Sequence, residues 1–189
     1  MNGRCVLRAI FFALCSFTSI FPAMANTTGL PPLQAIESLD AQRYMGRWYE
    51  IAKFPNRFQT HCLADTRADY RLLKTGRVEV INQCKTASGQ MDVAKGSARF
   101  VGPEGSPKFE VRFAPEWMEF VPMVWGKYWV IDIDKDYTLA AVSEPNREFL
   151  WVLSRTPSLD EKRWNALMAR LEAMGLSIGK LERTSHSSP

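Results

Sequence analysis

The chain has 189 residues, 46% of them hydrophobic and 23% charged, with 24 lysines and arginines against 20 acidic residues. That is long enough for one domain with a sizeable core and too short for two. Charge this close to balance gives no electrostatic case for nucleic-acid binding, and the composition is that of a globular chain.

Residues 1–25 are set aside from the fold. Arg4 and Arg8 flank an apolar run from about Val6 to Phe21, which ends in Ala23-Met24-Ala25, a small-x-small cleavage pattern. The run is short for a membrane span. Cys15 follows Leu14, whereas lipoprotein processing needs a small residue before the acylated cysteine, so no acylation site is recognised. The segment therefore reads as a cleaved secretory signal, and the mature protein as exported. Two of the four cysteines, Cys62 and Cys84, remain after cleavage, and in an exported chain such a pair reads as one disulfide. A hairpin about Lys74-Thr75-Gly76 would set Cys84 opposite Thr66 rather than Cys62, so the pairing stays open on geometry.

Residues 26–37 form a polar, proline-bearing lead-in. "SLDAQRYMG" then predicts a short helical turn, capped at Ser38 or Asp40 and stopped by Gly46. Eight strand-like segments follow: 47–54, 66–73, 77–84, 91–101, 108–113, 128–134, 137–142 and 149–154. Each is short and rich in β-branched or aromatic residues, and turn signals such as Ser88-Gly89 and Glu144-Pro145-Asn146 separate them. Hairpin-length connections imply a mainly β, antiparallel up-and-down meander. Closing it into an eight-stranded barrel removes the exposed edges and leaves room for one small ligand. One C-terminal helix is expected after Pro157, with a capping box from Ser158 to Glu161. Its apolar stripe of Leu159, Trp164, Leu167, Met168 and Leu171 would pack on the outside of the barrel, and Gly175 would end it. Residues 183–189 read as a disordered tail.

Catalytic constellations are scarce. The two histidines are His61, beside Cys62, and His186 in the tail, and no nucleophile elbow, phosphate loop or His-x-x-x-His pair occurs. Asp132, Asp134 and Asp136 have Asp-x-Asp-x-Asp spacing, but Tyr137 and Ser143 stand where a calcium loop needs glycine and glutamate. No metal and no cofactor are expected. Residues 114–125, with Trp117, Phe120 and Trp125, crowd aromatic and methionine side chains into a segment broken by prolines. The segment fits either a buried core strand or, as we prefer, a loop at one mouth of the barrel. There it would cap a lipid cavity or touch a membrane surface.

Three separated pieces resemble the lipocalin family. Gly46-Arg47-Trp48-Tyr49 is similar to its first motif, Asp134-Lys135-Asp136-Tyr137 to its second, and "LWVLSRTP", with Arg155, to its third. "RYMGRWYEIAKFPNRF" and "REFLWVLSRTPSL" look particularly like the bacterial outer-membrane lipocalins, relatives of apolipoprotein D. The resemblance spans residues 38–182 as one domain. It implies an eight-stranded calyx in which Trp48 plugs the closed end beneath the Arg155 guanidinium, with Gly46, Tyr49, Asp134 and Tyr137 as structural motif residues. It further implies cavity-facing Glu50, Ala52, Ala68, Tyr70, Val78 and Val80, with Tyr128, Lys53 and Arg57 near a polar headgroup. Family members of this type bind fatty acids and lysophospholipids, which implies a non-catalytic periplasmic lipid carrier serving envelope maintenance, associated with the outer membrane or acting as a soluble shuttle. Some relatives form homodimers. Two other readings stand beside it: an interaction or inhibitor protein working through its mouth loops, and an envelope enzyme, which would need an unpaired cysteine in the cavity.

Overall fold

The computed structural model describes residues 29–187, so the expected signal segment lies outside the described residues. Nine strands make one antiparallel sheet: β1 (Gly46–Lys53), β2 (Cys62–Leu72), β3 (Val78–Thr86), β4 (Met91–Phe100), β5 (Lys108–Arg112), β6 (Gly126–Ile133), β7 (Leu139–Ser143), β8 (Leu150–Ser154) and β9 (Glu182–Arg183). Neighbours follow chain order from β2 to β8, β8 pairs with β1, and β1 pairs with β2, which closes the barrel. All eight expected strands are present, with ends displaced by a few residues. Helix α1 (Ala41–Tyr44) is capped by Asp40, whose carboxylate accepts from Gln42 and Arg43 N–H. Helix α2 (Glu161–Ala173) packs outside the wall.

The barrel has two cores. Inside the closed half, Leu39, Tyr44, Trp48, Val78, Val80, Phe109, Val130 and Val142 pack together. Outside, Leu167, Met168 and Leu171 of α2 lie against Ile51, Ala52, Phe54, Ile131, Leu139, Ala141, Leu150 and Val152. Strand β7 is buried at all five positions because one face looks into the barrel and the other lies under α2. The helix begins two residues later than the expected capping box: Asp160, not Ser158, accepts the Arg163 N–H. Both residue types cap well, and the one adjacent to the first helical residue does so here. Two of the three aspartates with calcium-like spacing hold this helix in place. Arg170 grips Asp132 through two hydrogen bonds of 2.6 and 2.9 Å, and Arg163 reaches Asp134 at 3.1 Å.

Two irregularities depart from simple alternation. In β1 the register against β8 shifts between Glu50 and Ala52, so Glu50 pairs with Leu153 and Ala52 with Val152. That bulge turns Ala52 toward α2 with Ile51. In β2, two register shifts bring Cys62 opposite Thr86 rather than further out. Its Cα then lies 5.5 Å from that of Cys84, to which it is disulfide-bonded, so the expected geometric obstacle is removed by the bulges.

The expected disordered tail is instead fastened to the wall up to residue 187. Arg183 and Glu182 pair with Ala52 and Lys53, and Ser185 bridges Ala64. Thr184 N–H donates to the Ile51 carbonyl, His186 Nε2 donates to the Glu50 carbonyl at 2.7 Å, and Ser187 binds the Asp65 carboxylate. The bulge explains the attachment: it turns the carbonyls of Glu50 and Ile51 away from β8, and the tail supplies donors to them. The segment fills the seam where β1 and β2 diverge beyond Tyr49 and Arg67.

Candidate functional site

The closed end gathers the motif residues. Trp48 is wholly buried, its indole N–H donating to the Tyr44 carbonyl at 2.8 Å. The Arg155 guanidinium carbon sits 3.8 Å from the Trp48 ring centroid, and its nitrogens donate to the carbonyls of Arg43, Met45, Arg47 and Tyr137. Gly46 has φ +91°, and a Cβ there would come within 3.4 Å of Arg155, so both backbone and space favour glycine. Asp134 is partly buried, which pulls its pKa up. Hydrogen bonds from Thr138 and Leu139, with the charge of Arg163, outweigh that and hold it below its ordinary value. Tyr137, at φ +58°, presents its hydroxyl to the Asp40 N–H and its ring to Arg43. Tyr49 faces away from the interior, edge-on to His186.

Above this plug lies a cavity of about 1060 Å³. Of the expected lining residues, Glu50, Ala68, Tyr70, Val78, Val80 and Tyr128 are brought together there. Ala52 is not among them, because the β1 bulge turns it to the helix side. Tyr128 lies at the floor, 2.7 Å from the Tyr44 hydroxyl, and not beside basic residues at the open end. Lys53 is drawn off by Glu182 at 3.3 Å, whereas Arg57 and Lys127 do line the rim. Sequence reasoning missed Tyr44, Asn82, Gln59 and Trp151. Asn82 and Trp151 were within reach of it, since each lies two residues along a strand from an inward neighbour, Val80 and Leu153.

The 114–125 segment is a loop with two short 3-10 turns, Glu116–Met118 and Pro122–Val124. Trp125 is its internal anchor: it is buried between Arg99 and Arg112, and its N–H donates to the Glu119 carbonyl. Trp117, Phe120 and Met123 are 71%, 80% and 93% exposed. Trp117 and Phe120 therefore stand on the rim, outside the cavity wall, while Met123 borders the cavity mouth.

Glu50 is the buried carboxylate of the wall, accepting from Gln59 Nε2 and Thr184 Oγ1, both at 2.6 Å. Burial raises its pKa, and these hydrogen bonds only partly offset that. Between the ordinary and the raised value the folded protein thus keeps a proton that the unfolded chain releases. This contribution is greatest below the ordinary carboxylate range and is lost as pH rises through the raised value. Glu50→Gln is expected to flatten that decline, read as the difference in urea midpoint between the two proteins across pH 4 to 8; parallel curves would show that Glu50 does not titrate in this way. His61, Cys62 and Cys84 lie within metal-binding distance of one another, but the disulfide occupies both sulfurs. Neither thiol is free to act as a nucleophile or a ligand.

A barrel plugged at one end and open at the other onto a cavity with mostly apolar walls is a binding protein for a small lipophilic molecule. The sequence pattern of the lipocalin-like domain family matches residues 39–186, and the chain belongs to the lipocalin family. It is 39% identical over 157 residues to temperature-induced lipocalin-1 of Arabidopsis thaliana, covering 82% of this chain and 83% of that protein. It is 33% identical over 171 residues to the outer membrane lipoprotein Blc of Citrobacter freundii, covering 89% and 92%. Apolipoprotein D of Mus musculus is 31% identical over 165 residues, covering 84% and 82%.

Proposed function

We propose that this chain is an exported, non-catalytic lipid carrier that holds a lysophospholipid or a fatty acid in its calyx for envelope maintenance. The observation that carries the reading is the cavity of about 1060 Å³, walled by Ala68, Val78 and Val80 and edged by Arg57 and Lys127. Small and aliphatic walls suit an acyl chain, which gains about 0.8 kcal/mol per methylene removed from water. Basic residues at the rim suit a phosphate or carboxylate left at the opening. An open cavity of this size supports a carrier over a side-chain-filled barrel that works through its rim alone. The names of Blc relatives, which are outer membrane lipoproteins, support an envelope location for this chain. The exposed Trp117, Phe120 and Met123 would rest on the donor or acceptor membrane while lipid passes.

The test is native mass spectrometry of the protein purified from its own compartment, followed by lipid extraction. A bound acyl lipid is expected. Consistently empty protein with no affinity for fatty acid or lysophospholipid would overturn the reading.

A further inference from the structure

The floor of the cavity is not aliphatic. Tyr44 from α1, Tyr70 from β2 and Tyr128 from β6 converge there, with the Tyr128 hydroxyl 2.7 Å from that of Tyr44 and 3.1 Å from that of Tyr70. Three phenols carry three protons, and the two hydrogen bonds among them use two. Among the described residues no other acceptor is in range of these hydroxyls, so one proton is always left over. All three rings line the cavity, which is where that proton can be offered. Burial pushes the Tyr70 pKa up to about 12 and raises those of Tyr44 and Tyr128 as well, so the donors persist at any physiological pH.

A second, independent group points the same way. Asn82 lies on β3 one inward position beyond Val80 and also lines the cavity. Its Oδ1 is buried and has no hydrogen-bond partner. A buried acceptor without a partner costs free energy that a bound donor recovers. The cavity thus holds a spare donor at its floor and, two strand positions higher, a spare acceptor, the two kinds of partner that a hydroxyl can use.

Charge decides between oxygen types. The guanidinium nearest the floor, Arg155, is committed to four backbone carbonyls behind Trp48. The Glu50 carboxylate raises the Tyr70 pKa while the Arg155 guanidinium lowers those of Tyr70 and Tyr44, so the floor lies between opposite charges and is left to neither. An anionic headgroup there would be desolvated and would find the Arg155 donors already committed. The rim, by contrast, offers Arg57 and Lys127.

We infer that the floor of the calyx is a subsite for a neutral hydroxyl oxygen at the far end of an acyl chain. The preferred cargo is then a chain with its acid group at the rim and a hydroxyl at its terminus. This rests on the lipid-carrier reading and narrows its substrate class.

The test compares hexadecanoate with 16-hydroxyhexadecanoate, and the corresponding pairs of 12, 14 and 18 carbons, by isothermal titration calorimetry. At the best-fitting length the wild-type protein is expected to bind the hydroxylated member about tenfold more tightly. Proton counting makes a sharper demand. Any single Tyr→Phe change leaves at least one spare proton, so the preference survives Tyr44→Phe. It disappears in the triple variant Tyr44→Phe/Tyr70→Phe/Tyr128→Phe, in which the two members of each pair are expected to bind alike. Removing all the partners together leaves no orphan, which favours a folded triple variant; were it not to fold, the wild-type pairs alone decide. Asn82→Leu is expected to reduce the preference in part. Equal affinity for both members, or tighter binding of the plain one, overturns the inference and leaves the carrier reading standing. Binding of neither member at any length overturns both.

Discussion

Replacing Trp117, Phe120 and Met123 together by serine is expected to lower partitioning onto phosphatidylcholine vesicles about 100-fold, a far larger change than in the fatty-acid affinity of the calyx, whose mouth only Met123 borders. The three side chains are 71%, 80% and 93% exposed on one loop at the rim, an unusual concentration of large apolar surface. Full burial of such a side chain contributes about 1.5–3 kcal/mol, and seating it at a bilayer interface roughly half of that. Three losses of about 1 kcal/mol each amount to two orders of magnitude. The segment carries Glu116 and Glu119 and no lysine or arginine between residues 114 and 125. The attraction is thus apolar, and adding salt should change it little. Vesicle flotation with and without 0.5 M salt measures both points. Unaltered partitioning of the triple variant would remove the membrane role from this loop. Trp125 must stay, because it anchors the loop between Arg99 and Arg112 and its loss would confound the comparison.

The second large effect is on stability. Arg155→Met is expected to destabilise the protein by about 3 kcal/mol, read as a lower urea midpoint with unchanged slope. The cation over the indole contributes about 0.5–2 kcal/mol. The remainder comes from the carbonyls of Arg43, Met45, Arg47 and Tyr137, which lose a charged donor together. Solvent reaches part of this end and can rehydrate some of them, which keeps the figure below the sum. Arg155→Lys should recover less than half, because an ammonium cannot stack flat on Trp48 while reaching four acceptors. A change below 0.5 kcal/mol would mean that the plug holds without its brace.

Much of the fold could be read along the chain, because alternation and turn residues agree over eight short segments. The motif residues were legible for the same reason that they are structural: Gly46, Trp48, Asp134, Tyr137 and Arg155 each satisfy a local demand of the closed end. The cavity was less legible. A bulge adds one residue without any residue type that announces it, and the one in β1 was enough to send Ala52 to the wrong face. Tyr128 was placed at the rim because its position in the strand does not reveal depth, which depends on strand tilt and on α1 bringing Tyr44 beneath it. Asp160 and Ser158 are equally good caps, so only the helix's own first turn separates them. The tail looked loose because it is polar. Its partners are backbone carbonyls and an aspartate more than a hundred residues earlier, to which no local pattern points.

The fastening of residues 182–187 across the seam between β1 and β2 bears on how the barrel is made. Strand β1 is synthesised early, yet its outer neighbour along Ala52 and Lys53 comes some 130 positions later, after α2. Until that stretch emerges, the seam stays unsealed, the Glu50 side chain lacks Thr184, and the cup can admit water from the side. Sealing is therefore a late, long-range event, of the kind that slows folding. A chain still being synthesised therefore has a barrel wall that is not yet laced along this side.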